Sequence, residues 1–413
     1  MLLAALVTLS GWPPAWIRTL PDAGEYRQFA TGGPALVHNP YSERVLHPLI
    51  VRIVAASTGI SIDAAFLAVA LAMLAAFVFV IAMILRESGA PAVTIVPLMF
   101  TPLLVNQFER IYFQDLTQWT LIAIFFLALM RKRVWLALAM LFLAYLTRES
   151  TLILSLTVIG TGVVRRDARL AIGATLATVL AIVIASRFGA RGLPNEHHVN
   201  EMVFLILKLP FEFGRNVLGL FVVPSSLAHT QGNQCAPILM FAVPRVLRFT
   251  GQKWVSYCGF RPEWPLNTFS QMAAVFGICP VVLLAIVRRR NVIRQALDVE
   301  WLTIALTYGV LAYLVGTSEG TWLDREIGSG WPAFWIALPA LAAASRSLLP
   351  STLGRLAVYN LIVSWMPHPV QWATHYSNLG LIVTILIALA FQFLAYPEVS
   401  TREETSGVVP VSA

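Results

Sequence analysis

Charge is scarce in this 413-residue chain: Asp, Glu, Lys and Arg together make 12% of it, against 58% hydrophobic residues. At a mean hydropathy of +0.73, so much apolar surface exceeds what a water-soluble core can hide, so lipid is expected to be part of the solvent. Cysteine is nearly missing too, with only Cys235, Cys258 and Cys279, and no Cys and His spacing resembles a zinc site. No P-loop or dinucleotide fingerprint opens a helix after a strand. No internal repeat stands out, which disfavours transporter folds built from duplicated halves. Ionisable residues are also nearly missing from the apolar stretches, Lys208 and Arg215 being the main exceptions, and that counts against ion-coupled transport.

What is present reads as a polytopic transmembrane helical bundle of the all-α class. Apolar stretches lie near 2–17, 64–85, 91–105, 116–130, 134–147, 151–164, 170–186, 203–223, 269–287, 301–317, 331–345, 355–366 and 378–396, which predicts about 11–13 helices, several shorter than the ~20 residues of a straight span. The first stretch lacks a basic start and a small-residue cleavage site, so it is read as a short helix and not as a signal peptide. One integral membrane domain is expected over 1–396, followed by a disordered Ser-, Thr- and Glu-rich tail over 397–413.

The formal net charge of +8 comes as short clusters between apolar stretches, a topological signal and not a nucleic-acid footprint. Arg86, Arg131-Lys132-Arg133, Arg165-Arg166 with Arg169, and Arg288-Arg289-Arg290 with Arg294 mark cytoplasmic loops. By alternation, the segments 18–62, 106–115, 147–150, most of 187–268, 318–330 and 366–377 face the other side. Nearly every carboxylate and histidine cluster falls there: Asp22, Glu25, His38 and His47; Glu109 and Asp115; Glu149; Glu196, His197 and His198; Glu319, Asp324 and Glu326. Chemistry is therefore expected on the non-cytoplasmic face. Cys235 and Cys258 lie in the long outer segment, where an oxidising compartment permits a disulfide, whereas Cys279 reads as packing.

Four constellations carry the candidate residues. Asp22 and Glu25, followed by His38, Tyr41, Arg44 and His47, place a carboxylate at the membrane surface beside aromatic and basic groups, which suits general-base work. Asp115 stands at a helix entrance, either as an N-cap or as a functional carboxylate. Arg148 and Glu149 form the outer tip of a tight helical hairpin, where an Arg facing a phosphate and a plain ion pair are alternatives. Arg325 lies in a mixed-charge loop beside Trp322 and is a second cation for a lipid phosphate.

This layout resembles the GT-C superfamily of polytopic glycosyltransferases, which use sugars carried on polyprenyl phosphate. The resemblance rests on a short first helix, the acidic segment Asp22-Ala23-Gly24-Glu25-Tyr26, the Arg44-Val45-Leu46-His47-Pro48 lead into a membrane-surface helix, Asp115 and the Thr147-Arg148-Glu149 turn, about the first 165 residues. It implies a GT-C-like bundle with membrane-surface helices in its outer loops and inverting hexosyl transfer from a polyprenyl-phosphate-linked sugar to a cell-envelope glycan or lipid acceptor. It further implies Asp22 as catalytic base, with Glu25 second, and Asp115 as the carboxylate that organises the site or helps hold a divalent metal. Arg44, His47, Arg148, Glu149 and Arg325 are then the expected substrate and phosphate contacts. Asp22 and Glu25 are not an adjacent acidic pair as in protein mannosyltransferases, so the acceptor stays open. With a pI near 9.7 and no eukaryotic targeting signal, the expected location is a bacterial inner membrane. Two alternatives are a lipid-linked glycan polymerase or ligase, relying on Arg191, His197, His198, Arg215, His229, Arg245 and Arg248 of 187–268, and a lipid or solute transporter.

Overall fold

The computed structural model describes residues 21–90, 94–99, 101–105, 107, 110–193, 212–224, 236–237, 255–287, 294, 296–318 and 323–345. The stretches 2–17, 355–366 and 378–396, the tail 397–413, and Glu109, Glu196, His197, His198, His229, Cys235, Arg245, Arg248 and Glu319 lie outside them.

The described residues are overwhelmingly helical. The segment 18–62 holds α1 (Pro21–Gly32) and α2 (Leu46–Thr58), and α3 (Ile62–Glu87) follows. Two short helices, α4 (Ile95–Met99) and α5 (Pro102–Val105), lead to α6 (Asp115–Met130), α7 (Val134–Thr147), α8 (Thr151–Arg165) and α9 (Ala168–Gly189). Local chemistry sets several of these ends. Ser61 caps α3 by accepting from the Ala64 N–H at 3.3 Å, and Asp167 caps α9 by accepting from Leu170 at 3.0 Å. Gly59, at φ 71°, closes α2 in the left-handed conformation that glycine adopts without a Cβ penalty.

Among the described residues, two helices are long and apolar enough to cross a membrane: α3, with 26 residues, and α9, with 22. They measure about 39 and about 33 Å at ~1.5 Å per residue. Helix α9 leaves Ile172, Leu176, Val179, Leu180 and Val183 exposed along one stripe, an apolar face without a partner among the described residues.

The apolar stretch 203–223, expected as a helix, ends instead in strand β1 (Leu220–Pro224). With β2 (Ala236–Pro237) and β3 (Val255–Phe260) it forms a small antiparallel sheet of order β1-β3-β2. β-Branched and aromatic residues in short apolar runs favour this arrangement. The stretch 269–287 is likewise two helices, α10 (Glu263–Phe276) and α11 (Cys279–Val287), separated at Gly277 with φ 58°. Cys258 is disulfide-bonded and Cys279 is a free, buried thiol.

Helices α12 (Glu300–Gly316), α13 (Leu323–Gly328) and α14 (Leu338–Ser345) complete the described chain, a π-helical turn at Ala333–Ala337 preceding α14. The main core gathers Phe77 of α3, Trp119 and Phe126 of α6, and Trp331, whose ring meets Phe77 edge-on at 5.0 Å. A Cβ at Gly309 of α12 would collide with the Ala333 backbone. Gly309→Ala is therefore expected to lower stability by about 1–3 kcal/mol, read as a lower melting temperature in detergent.

The helices share one polarity. α3 starts near Asp63, bound by Arg27 at 2.8 Å, and ends at Glu87, bound by Arg131 of the α6–α7 turn at 2.5 Å. α6 runs from Asp115 to that same turn, and α7 returns to Arg148. α8 carries the chain back to Arg165, which donates to the Asp298 carbonyl just before α12 at 3.1 Å. α9 then ends where Gly189 packs on Glu43, and α12 where Gly316 packs on Glu326. Among the described residues, one pole of the bundle, the acidic pole, therefore holds Asp22, Asp63, Asp115 and Glu149 with their arginine partners, and the other, basic pole holds Arg131–Arg133 and Arg165–Arg166.

Candidate active site

The acidic pole is assembled from four segments far apart in the chain. Asp115 is the first residue of α6, and its side chain is fully buried. Gln114, not Asp115, occupies the N-cap position, without a side-chain capping bond. The Asp115 carboxylate turns sideways: Oδ1 accepts from Arg148 Nη1 at 2.7 Å, and Oδ2 accepts from Arg325 Nε. The capping alternative raised by the sequence is thereby corrected. Arg148 continues to Glu326, whose Oε2 accepts from Nη2 at 2.6 Å. Arg325 of α13 continues to Asp22, donating from Nη1 to Oδ2 at 3.4 Å, and its guanidinium lies 4.7 Å from the centre of the Phe113 ring. Both arginine side chains are 5% exposed. Burial on this scale is tolerable only because each guanidinium bridges two carboxylates.

Asp22 is the open end of the network. It lies in the first turn of α1, its side chain is 31% exposed, and its Oδ1 accepts from the Tyr41 hydroxyl at 2.7 Å. Burial first, then the Asp22 charge, pushes the Tyr41 hydroxyl well above its ordinary value, so Tyr41 stays a donor and holds the carboxylate in place. Glu25, one turn later, looks elsewhere: it accepts from the His38 backbone N–H and faces His38 Nδ1, both at 3.0 Å. Glu25 thus faces the 37–39 loop and not the Asp115 network.

A second ion pair flanks the first. Arg44 donates to both Glu149 oxygens, from Nε at 2.9 Å and from Nη2, and from Nη1 to the Tyr26 hydroxyl at 2.8 Å. Burial alone would raise the Glu149 carboxyl, but the Arg44 guanidinium outweighs it and holds the group down to about 2. This is the plain ion pair that was one reading of the hairpin tip, with Arg44 as partner in place of Arg148.

His47 was expected among the phosphate contacts, and its surroundings do not suit that role. It is buried at the start of α2, with Nδ1 2.8 Å from Thr117 Oγ1. Burial pushes its imidazole down to about 4, against the opposing pull of Asp115. A neutral imidazole offers phosphate no charge. The unfolded chain protonates His47 near the ordinary value of ~6.5, so between there and about 4 it binds more protons than the folded chain. Stability is therefore expected to fall by about 3 kcal/mol as pH drops through that window. In His47→Gln that slope should shrink, which unfolding curves at a series of pH values would show.

Asp115 also fits a metal poorly, because each oxygen already faces a guanidinium and a divalent ion would meet both positive charges. Among the described residues no group of three or more His, Cys, Asp or Glu is arranged to hold one. Arg325 keeps a buried Nη2 without a hydrogen-bond partner. Arg215, from the alternative basic set, is engaged with Glu212 at 3.6 Å and stacks 4.6 Å from the centre of the Trp264 ring.

Sequence reasoning brought together Asp22, Asp115, Arg148 and Arg325 as separate candidates, and the fold joins them. It gave no role to Tyr26, Phe113, Gln114 or Gln118. The last of these was visible as a lone amide inside an apolar helix. No family model, curated protein or solved structure matches the chain.

Proposed function

We propose that the chain is a polytopic membrane glycosyltransferase of the GT-C kind, moving one sugar from a polyprenyl-phosphate donor to a cell-envelope glycan or lipid. Its acidic pole faces the non-cytoplasmic side of a bacterial inner membrane, and the basic pole faces the cytoplasm. The exposed stripe of α9 meets lipid, and the chain spans the bilayer about 11–13 times.

The observation that carries this reading is the union of Asp22, Asp115, Arg148 and Arg325 in one network with Asp22 at its open end. Transfer needs two protein groups, a base for the acceptor hydroxyl and a cation near the departing phosphate. Asp22 takes the acceptor proton as that oxygen bonds to the anomeric carbon, with inversion there. The bond from that carbon to the phosphate oxygen breaks, and its electron pair leaves with the lipid phosphate. Arg325 Nη2, fixed by its sister nitrogens on Asp115 and Asp22, is the donor left for the phosphate. Asp115 touches no substrate in this scheme and acts by aiming Arg325 and Arg148.

The test is to incubate purified protein with labelled polyprenyl-phosphate sugars and envelope lipids and to follow release of the lipid phosphate. Release that depends on both donor and acceptor is expected. No release with any donor, together with loss of glycan assembly when Arg191 or Arg215 is changed, would favour the polymerase or ligase reading.

A further inference from the structure

Among the described residues, the buried polar atoms at the acidic pole without a hydrogen-bond partner include, besides Arg325 Nη2, four on neutral side chains: His47 Nε2, Gln114 Nε2 and Oε1, and Gln118 Oε1. Such atoms are rare in folded proteins and each opposes folding unless a guest satisfies it. They are not scattered. Gln114 and Gln118 lie one turn apart on one flank of α6, and Thr117 on the same flank meets His47 Nδ1 at 2.8 Å. The Gln118 amide nitrogen reaches the α7–α8 turn, donating to Ser150 at 3.0 Å and Thr151 at 2.8 Å. The residues that carry the orphaned atoms thus lie together in the wedge where the starts of α2 and α6 meet that turn, next to Asp115.

We infer that His47, Gln114 and Gln118 form a subsite for a neutral, hydroxyl-bearing ligand, the ring hydroxyls of a sugar. The choice of a sugar over another polyol rests on the glycosyl-transfer reading. The chemistry of the wedge is neutral and two-sided. Gln114 offers both donors and an acceptor, Gln118 an acceptor, and a neutral imidazole either one, which matches hydroxyls that donate and accept at once. A phosphate is disfavoured at these neutral atoms, because Arg44 is bound to Glu149 and Tyr26 and Arg148 to Asp115 and Glu326, while Arg325 is the cation proposed for the departing lipid phosphate.

The test uses the full chain in detergent with free glucose, mannose, galactose and arabinose as probes, read by saturation-transfer NMR. Wild type is expected to show transfer to at least one sugar. The signal should weaken tenfold or more in Gln114→Met and Gln118→Met and stay unchanged in Arg131→Gln at the opposite pole. Because Gln114 loses no protein hydrogen bond, ligand-free Gln114→Met should melt at or above the wild-type temperature. No transfer to any sugar, or undiminished transfer in both glutamine variants, overturns the subsite. A ligand-free Gln114→Met that melts several degrees lower does so as well, because the amide then serves only bound water and the fold. The two readings separate in the lipid-phosphate release assay. A wild type that binds sugar but releases no lipid phosphate sinks the transfer reading and keeps the subsite. A wild type that releases it, with donor KM unchanged in Gln114→Met, keeps the transfer reading and sinks the subsite.

Discussion

Asp115→Asn is expected to destabilise the chain by about 3–5 kcal/mol, the cost of removing one partner from a buried ion network. The carboxylate is fully buried, and it is the group that Arg148 and Arg325 share. An amide of the same shape keeps one acceptor oxygen but brings no charge and places an NH2 against a guanidinium. A helix cap at this position would cost only about 0.5–2 kcal/mol, so the size of the loss distinguishes the two roles. Denaturant unfolding in mild detergent measures it. A cycle pairing Asp115→Asn with Arg325→Gln should be strongly non-additive, because the second change removes one of the charges stranded by the first.

Asp22→Asn should behave in the opposite way, with a small change in stability and a large one in rate. Asp22 is 31% exposed and meets Arg325 only at 3.4 Å, which places the pair among those worth about 0–1 kcal/mol. The asparagine oxygen can still accept from Tyr41, so the geometry survives. A proton acceptor is lost, and turnover is expected to fall about 10²–10⁴-fold, the range general-base catalysis contributes. Donor affinity should change far less, since Arg325 stays anchored on Asp115. A loss of turnover matched by an equal loss of stability would instead make Asp22 a structural residue.

Helices were legible where apolar runs were long and bounded by charge. The runs 64–85, 116–130, 134–147, 151–164, 170–186 and 301–317 correspond to α3, α6, α7, α8, α9 and α12 within a few residues. Legibility ended where a run was short or broken. Leu220–Pro224 is as apolar as a helix segment, and only its pairing with β3 makes it a strand. Gly277 splits a continuous apolar run through a backbone conformation that hydropathy does not report.

At the site, residue type was readable and partnership was not. Asp22 and Glu25 look alike in sequence, yet one opens onto the network and the other caps the His38 loop. Arg148 and Glu149 are neighbours that bond to different partners, Asp115 and Arg44. Arg325 reaches Asp115 across 210 positions, a separation that no local pattern encodes. His47 beside Arg44 looks cationic, and only its burial makes it neutral.

The most direct measurement of the central claim is release of polyprenyl phosphate from labelled lipid-linked sugars by wild type and Asp22→Asn side by side, with both proteins shown to be folded and to bind donor. The account predicts release by wild type, at least a hundredfold slower in the variant. Equal release by the two proteins would contradict it, as would a folded wild type that releases none from any donor.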